Sequence, residues 1–172
     1  MFLLGHLGIT LGLAWFLAWK APATIDYRVV LFGGILPDLI DKPIGYLFNL
    51  ETRGYAHTFV FLFTILVLSV LPRLGVLRLV GFGVATHYLL DRIWETPRII
   101  LWPAYGWDFK PAAFDAEIWI DLLLRDPYVQ AGEIVGGLIL VLFAWRKGLF
   151  SWTSIVAFVR HGTLPGAAKS QP

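Results

Sequence analysis

Long apolar stretches dominate this chain, and the first of them already narrows the possible folds. Residues 2–19 contain a single ionisable side chain, His6. At about 1.5 Å per residue in an α-helix, this stretch nearly crosses a bilayer core of roughly 30 Å. No basic residue precedes it and Lys20 follows it directly, a pattern that argues against a cleaved secretory signal. The sequence therefore predicts a membrane helix here.

Similar stretches return three times further along the chain. Residues 58–71 and 77–90 are apolar and are joined by a tight turn around Pro72, which predicts a helical hairpin. Residues 131–145 form the last apolar span and end at a basic pair. Together with the first stretch, these segments predict about four spanning helices.

Shorter segments need a different interpretation. Residues 29–36 are apolar, contain Gly33-Gly34 and stop at Pro37, so we predict a half-spanning segment. Residues 111–125 carry a polar and an apolar face at helical spacing, which predicts an amphipathic helix lying flat on the membrane. The segment 149–159 is expected to do the same.

The composition fits a membrane protein. Of the 172 residues, 58% are hydrophobic and 15% are charged, and the mean hydropathy is +0.70. So few polar side chains cannot cover the surface of a soluble globule. We predict an all-α fold, a polytopic helical bundle integral to the plasma (inner) membrane. Residues 1–160 would form one embedded domain, and residues 161–172 a frayed tail.

Charged residues divide unevenly between the two ends of the predicted bundle. If the five apolar segments alternate in direction, one end carries a single acid, Asp26. The positive-inside rule assigns that end to the cytoplasm and the acidic end to the extracytoplasmic side. The basic residues of the cytoplasmic end are Lys20, Arg28, Arg73, Arg78, Arg146 and Lys147.

Histidines and carboxylates from four separate segments fall at the acidic end. His87 and Asp91 are i, i+4 on a helix, so their side chains project from one face and can share one ion. Glu95 would extend this stripe by another turn. Asp38 and Asp41 are three residues apart and would share a face if helical. The full set is His6, Asp38, Asp41, His57, His87, Asp91 and Glu95.

Each of these residues alone has an ordinary structural explanation. His87 and Asp91 could form a hydrogen-bonded pair, and His6 could pack between helices. Together they favour a metal site, because an ionisable group costs about 2.5 to 3.5 kcal/mol at the centre of a membrane helix and neighbouring carboxylates repel one another. Without cysteine the ligands must be imidazole and carboxylate, so we predict a divalent, zinc-like metal with one or two ions. The predicted metal ligands are His6, Asp38, Asp41, His57, His87 and Asp91.

Several motifs of the chain occur in an order that resembles a known family. They are His6, Gly34-Ile35-Leu36-Pro37-Asp38-Leu39-Ile40-Asp41, Arg53-Gly54-Tyr55-Ala56-His57-Thr58, His87-Tyr88-Leu89-Leu90-Asp91, Thr96-Pro97 and Leu101-Trp102-Pro103. In this order they resemble the YdjM family, which is described as LexA-binding, inner-membrane-associated, metal-dependent hydrolases. That family is distantly similar to zinc-dependent phospholipase C and P1-type nucleases. The resemblance implies a metal-dependent hydrolase.

The expected reaction is hydrolysis of a phosphoester at the outer membrane face. Asp38, Asp41 and Glu95 are candidates for the catalytic base, or for orienting a histidine that binds the metal. Arg53 and Lys42 are candidates for binding the substrate phosphate. A lipid or lipid-linked substrate is favoured over a water-soluble small molecule because it reaches an interfacial site by lateral diffusion. Membrane lipid is therefore an expected partner, and nucleic acid is not.

Two other classes of protein compete with the hydrolase. A small ion- or proton-coupled transporter would carry ionisable residues at several depths, whereas the middles of these helices are bare. A membrane scaffold would use the polar cluster only for structure and would bind no metal. The sequence indicates neither the substrate nor the oligomeric state.

Overall fold

The computed structural model describes residues 1–20, 25–112 and 116–161, and all regular structure within them is helical. The predicted all-α fold is confirmed. The described part of the chain contains eight α-helices, which we number in chain order. They are α1 (Leu3–Lys20), α2 (Tyr27–Phe48), α3 (Phe59–Leu68), α4 (Leu77–Leu90), α5 (Pro97–Ile100), α6 (Ala116–Arg125), α7 (Pro127–Lys147) and α8 (Trp152–His161).

Among the described helices, α1 and α7 are long and apolar enough to cross a membrane. Their positions agree with the predicted spans at residues 2–19 and 131–145, and α4 occupies the predicted 77–90. Helix α3 has 10 residues and is shorter than the predicted segment 58–71, because the helix already ends at Leu68, before Pro72. The arrangement with four spans stays a prediction.

Helix α2 differs from the sequence-based expectation. The prediction that this segment ends at Pro37 is wrong, because α2 continues through Pro37 and Pro43 for 22 residues in all. Proline removes one backbone hydrogen bond and its ring crowds the preceding turn. Packing against α1 and α4 supports the helix around the buried Pro37, whereas Pro43 is exposed, and Asp26 caps the start of α2 by accepting from the Arg28 backbone N–H at 3.0 Å.

Glycines set how closely the helices approach, which explains why Gly33-Gly34 does not interrupt α2. A Cβ added to Gly33 would lie 2.4 Å from the Val80 carbonyl oxygen of α4, and one added to Gly83 would lie 2.6 Å from the Gly33 carbonyl carbon. Small residues that let backbones meet are typical of helix pairs in membranes. The glycine pair is therefore a packing contact between α2 and α4.

The core consists of two apolar groups. One lies between α1, α2 and α7 and includes Leu11, Val30 and Phe143. The other lies along α3 and α4 and includes Ile65 and Val84. The outer faces of the same helices carry exposed large apolar side chains, as lipid-facing surfaces do. Examples are Phe16, Phe63, Val67, Leu138 and Val141.

The remaining helices flank this bundle. Helix α6 is shorter than the predicted 111–125: residues 113–115 lie outside the described part, and Pro111 forms an isolated antiparallel bridge with Leu50. Helix α8 occupies most of the predicted segment 149–159 and includes His161. The rest of the predicted tail, residues 162–172, lies outside the described residues.

Candidate metal centre

The helices bring the histidines and aspartates of four segments to one end of the bundle. His6 lies in the first turns of α1, and Asp38 lies in the second half of α2. His57 lies two residues before α3, whereas His87 lies in the last turn of α4. Contacts among these side chains require α1, which starts at this end of the bundle, to run opposite to α2 and α4, which lead toward it. All six predicted metal ligands meet there, namely His6, Asp38, Asp41, His57, His87 and Asp91.

Four of these residues form a group that could hold a metal ion. We call Asp38, His57, His87 and Asp91 the inner cluster; each offers one ligand atom, and these four atoms lie within 4.8 Å of one another. The Asp38 Oδ1 atom lies 3.7 Å from His57 Nε2 and 3.9 Å from His87 Nε2. The Asp91 Oδ2 atom lies 4.0 Å and 3.9 Å from the same two nitrogens. Two imidazoles and two carboxylates are a ligand set that suits zinc.

Hydrogen bonds fix which nitrogen of each histidine faces the inner cluster. His87 Nδ1 lies 2.8 Å from the Gly34 carbonyl oxygen, and His57 Nδ1 lies 2.7 Å from Asp41 Oδ2. Both partners accept only, so each Nδ1 carries the proton. The two Nε2 lone pairs then face each other at 3.2 Å. Such lone pairs repel unless a proton or a metal ion lies between them.

Asp41 lies behind His57 and outside the inner cluster. Its Oδ2 accepts the Gly54 backbone N–H at 2.8 Å as well as the His57 proton, and its Oδ1 accepts the Ala56 N–H at 3.1 Å. The residue is 2% exposed. A carboxylate that holds a metal-binding imidazole in this way fixes the ring and its tautomer. Of the two predicted aspartates of α2, the structure thus places Asp38 among the potential ligands and Asp41 as the support of His57.

The predicted phosphate-binding cations pair with the carboxylates of the inner cluster. Lys42 Nζ lies 2.6 Å from Asp38 Oδ2, and Arg53 Nη2 lies 3.0 Å from Asp91 Oδ2. The Met1 ammonium group lies 2.7 Å from Asp91 Oδ1. Burial acts to raise the pKa of Asp91, but the nearby His6 ring, Arg53 and the Met1 ammonium outweigh it and hold that pKa below its ordinary value.

His6 borders the inner cluster and has unsatisfied nitrogens. Its ring stacks on His87 with centroids 4.0 Å apart, and the residue is 1% exposed. His6 Nε2 lies 3.2 Å from Asp91 Oδ1 and 4.0 Å from Asp38 Oδ2. Neither ring nitrogen makes a hydrogen bond with any residue that the structure describes. A buried imidazole without hydrogen bonds destabilises the folded protein, so the absence of a partner for the His6 nitrogens needs an explanation.

Glu95 does not join these residues. The prediction that it extends the His87 and Asp91 stripe is wrong, because α4 ends at Leu90 and Arg92 adopts a left-handed backbone conformation with φ of 51°. The chain therefore leaves the helical path before Glu95. The Glu95 side chain is half exposed and pairs with Arg92.

Glu133 is a residue that the sequence reasoning missed. This acid of α7 accepts backbone N–H groups of Phe2, Leu4 and Gly5 at 2.8, 3.0 and 3.1 Å. It thereby satisfies donors at the start of α1, one turn from His6. A lone carboxylate within an apolar helix was the available signal, because such groups are rarely kept in membrane segments without a partner.

At least two cavities lined by the described residues reach the centre. One of about 370 Å³ is lined by Asp38 and Asp91 together with Lys42, Arg53 and Trp119 of α6. A groove of about 280 Å³ between α1 and α2 reaches His6 and Asp38 from the side. The inner cluster is thus accessible by two routes, although its two histidines are fully buried.

The fold and the centre define a helical membrane protein with a possible metal-binding cluster at one end of its bundle. Comparison with known families agrees: the chain belongs to the YdjM inner membrane protein family, whose sequence profile matches residues 1–162. The resemblance seen in the motifs is confirmed, whereas the more distant similarity to zinc-dependent phospholipase C stays a prediction. Comparisons with curated proteins and with solved structures give no match.

Proposed function

We propose that this protein is a zinc-dependent hydrolase that cleaves a phosphoester of a lipid or lipid-linked substrate at the extracytoplasmic face of the inner membrane. The observation that carries the proposal is the inner cluster: two Nε2 lone pairs face each other at 3.2 Å beside two carboxylates. A divalent ion would satisfy all four groups at once. A bound zinc ion would lower the pKa of a water molecule toward about 7 and polarise a phosphoryl oxygen.

The residues around the inner cluster suit a phosphate-bearing substrate. Arg53 and Lys42 line the larger cavity, and each side chain is about one third exposed. The planar guanidinium of arginine matches phosphate oxygens in a bidentate manner, and lysine adds a mobile point charge. Asp41 keeps His57 oriented toward the ion. Different side chains would thus bind the metal, orient its histidine ligand and bind the substrate.

Access from the side of the bundle supports a lipid substrate. The groove between α1 and α2 is lined by Phe2, Leu3, Ile35 and Leu39 before it reaches the polar centre. Leu3 and Leu39 are 59% and 57% exposed, so the groove opens onto the apolar outer face of the bundle. An acyl chain could lie there while its headgroup meets the cations at Lys42 and Arg53. A water-soluble substrate would have no use for such an opening.

We propose four or more membrane crossings with the centre on the outer side. At about 1.5 Å per residue, the 22 residues of α2 reach roughly 33 Å. Crossing by α2 as well as α1 returns the chain to the outer side before His57, and the basic ends of α1 and α7 then face the cytoplasm.

Cysteine labelling tests this orientation, and the chain contains no native cysteine to interfere. In intact cells opened only at the outer membrane, a membrane-impermeant maleimide is expected to label Glu95→Cys, near the centre. It should label Arg146→Cys, at the other end of the bundle, only after the inner membrane is disrupted. The reverse pattern would overturn the outward orientation.

An activity screen tests the proposed reaction. Protein purified in detergent is incubated with phospholipids, polyprenyl phosphates and nucleotides, before and after chelation and with zinc restored. We expect hydrolysis of one of the lipid phosphoesters, loss of at least about 100-fold on chelation, and recovery with zinc. Arg53→Gln should lower the rate, whereas Arg125→Gln, on the exposed face of α6, should not. A zinc-loaded protein that hydrolyses none of the three classes would exclude the hydrolase and leave the transporter, whereas a protein that binds no metal would leave the scaffold.

A further inference from the structure

We propose that the centre holds a second cation, bound by His6 and the outer oxygens of Asp38 and Asp91, and that the Lys42 ammonium competes with it. The proposal rests on the proposed function, since both ions would share the same two carboxylates. We call this position the outer position. A cation at the outer position would leave Lys42 with two alternative partners, the Asp38 carboxylate when the cation is absent and the substrate phosphate when it is bound.

Each of the two carboxylates, Asp38 and Asp91, presents one oxygen to the inner cluster and the other oxygen to His6. Asp38 Oδ1 and Asp91 Oδ2 face the two Nε2 atoms of the inner cluster at 3.7 to 4.0 Å. The remaining oxygens, Asp38 Oδ2 and Asp91 Oδ1, face His6 Nε2 at 4.0 and 3.2 Å. Carboxylates divided in this way can bridge two metal ions, which in two-metal sites lie about 3.5 to 4 Å apart.

His6 provides the independent evidence for a ligand at the outer position. It is 1% exposed, and within the described part of the chain both of its ring nitrogens lack a hydrogen bond. Leaving a buried polar group unsatisfied costs about 1 to 3 kcal/mol. Because Nε2 points toward two carboxylate oxygens, a cation between them would satisfy the nitrogen and both oxygens together.

Positive charge already lies against both outer oxygens. The Lys42 ammonium is 2.6 Å from Asp38 Oδ2, and the Met1 ammonium is 2.7 Å from Asp91 Oδ1. Lys42 also lies over the Trp119 ring, 4.6 Å from its centroid, at the wall of the larger cavity. A divalent ion at the outer position would compete with both ammonium groups and would release Lys42 from Asp38. The lysine could then turn into the cavity and bind the substrate phosphate.

Manganese provides a direct test, because two Mn²⁺ ions about 4 Å apart give a spin-coupled electron paramagnetic resonance spectrum. The purified protein is titrated with Mn²⁺, and bound metal per chain is counted. We expect two ions per chain and a coupled spectrum. In His6→Gln we expect one ion and an uncoupled spectrum. One ion in the wild type at saturation, or two coupled ions in His6→Gln, would overturn the proposal.

A lysine variant tests the competition in the opposite direction. Lys42→Met removes the ammonium from Asp38 and should strengthen binding of the weaker ion by at least about 10-fold, as expected when a competing charge leaves. Lys147→Met, at the far end of α7, is the matched control and should leave both affinities unchanged. Unchanged affinity in Lys42→Met would contradict the role of Lys42. Because its side chain is one third exposed, this variant should not disturb folding.

The outcomes also separate this proposal from the proposed function. A protein that binds one ion and hydrolyses a lipid phosphoester would lack the outer position but keep its activity. A protein that binds two coupled ions without hydrolysing any substrate would support the outer position and exclude the hydrolase. Absence of any bound metal would overturn both.

Discussion

Replacing His87 with alanine is expected to weaken zinc binding by more than about 100-fold and to abolish hydrolysis. His87 supplies one of the two imidazole nitrogens of the inner cluster. Loss of a residue that merely supports a metal ligand already costs about 10- to 100-fold in affinity, so loss of a ligand should cost more. Affinity is measured in detergent by competition with a chromophoric chelator.

Companion variants separate loss of a ligand from loss of structure. Alanine also leaves the buried Gly34 carbonyl without its donor, so His87→Gln is included because its amide N–H₂ can still donate. Asp41→Asn should give an intermediate loss of about 10- to 100-fold, since it alters only the support of His57. Leu89→Ala, at an exposed position of the same helix, should bind zinc like the wild type. Wild-type affinity in both His87 variants would exclude the inner cluster as the zinc site.

The sequence predicted the meeting of these residues because membrane helices alternate in direction. Hydropathy located α1, α4 and α7, and counting the weaker segment 29–36 among five alternating segments put His6 and His87 at the same end of the bundle. This step requires no knowledge of side-chain contacts. It is also robust to the mistake at Pro37, because extending α2 to Phe48 leaves Asp38 at the same end.

Other features depend on contacts that no local pattern reveals. Asp38 and Asp41 are equivalent in sequence, and only the N–H groups of Gly54 and Ala56, brought close by the fold, separate a potential ligand from a supporting residue. Glu95 has the spacing of the helical stripe, yet the left-handed turn at Arg92 redirects the chain. Arginine rarely adopts that conformation, so the residue type does not signal the turn.

The centre combines two demands that usually conflict. Buried carboxylates require positive charge, whereas a substrate phosphate requires cations that are available to it. Lys42 and Arg53 can meet both demands, because each pairs with a carboxylate and also lines the cavity. A bound metal ion would neutralise the carboxylates and leave the two side chains available to the phosphate. Metal binding and substrate binding should therefore be coupled through these two residues.

Replacing Gly136 with alanine is expected to destabilise the bundle strongly, whereas the same change at the adjacent Gly137 should not. A Cβ at Gly136 would lie 2.2 Å from the Leu4 carbonyl oxygen and 2.8 Å from the Gly5 Cα atom, both of them backbone atoms of α1. A Cβ at Gly137 would meet only a Leu4 methyl group at 3.8 Å. The backbone of α1 cannot yield as a side chain can, so α1 and α7 must separate.

The pair of variants isolates this packing effect, because both positions lie inside α7 and both gain about 1 kcal/mol of helix propensity from alanine. We expect Gly136→Ala to lose about 1 to 3 kcal/mol of stability, the range for overpacked sites, and Gly137→Ala to remain within about 0.5 kcal/mol of the wild type. Thermal unfolding in detergent measures the difference. Since α1 carries His6, Gly136→Ala should also weaken binding of the second Mn²⁺ ion before the first. Equal melting temperatures for the two variants would contradict the close contact between the α1 and α7 backbones at Gly136.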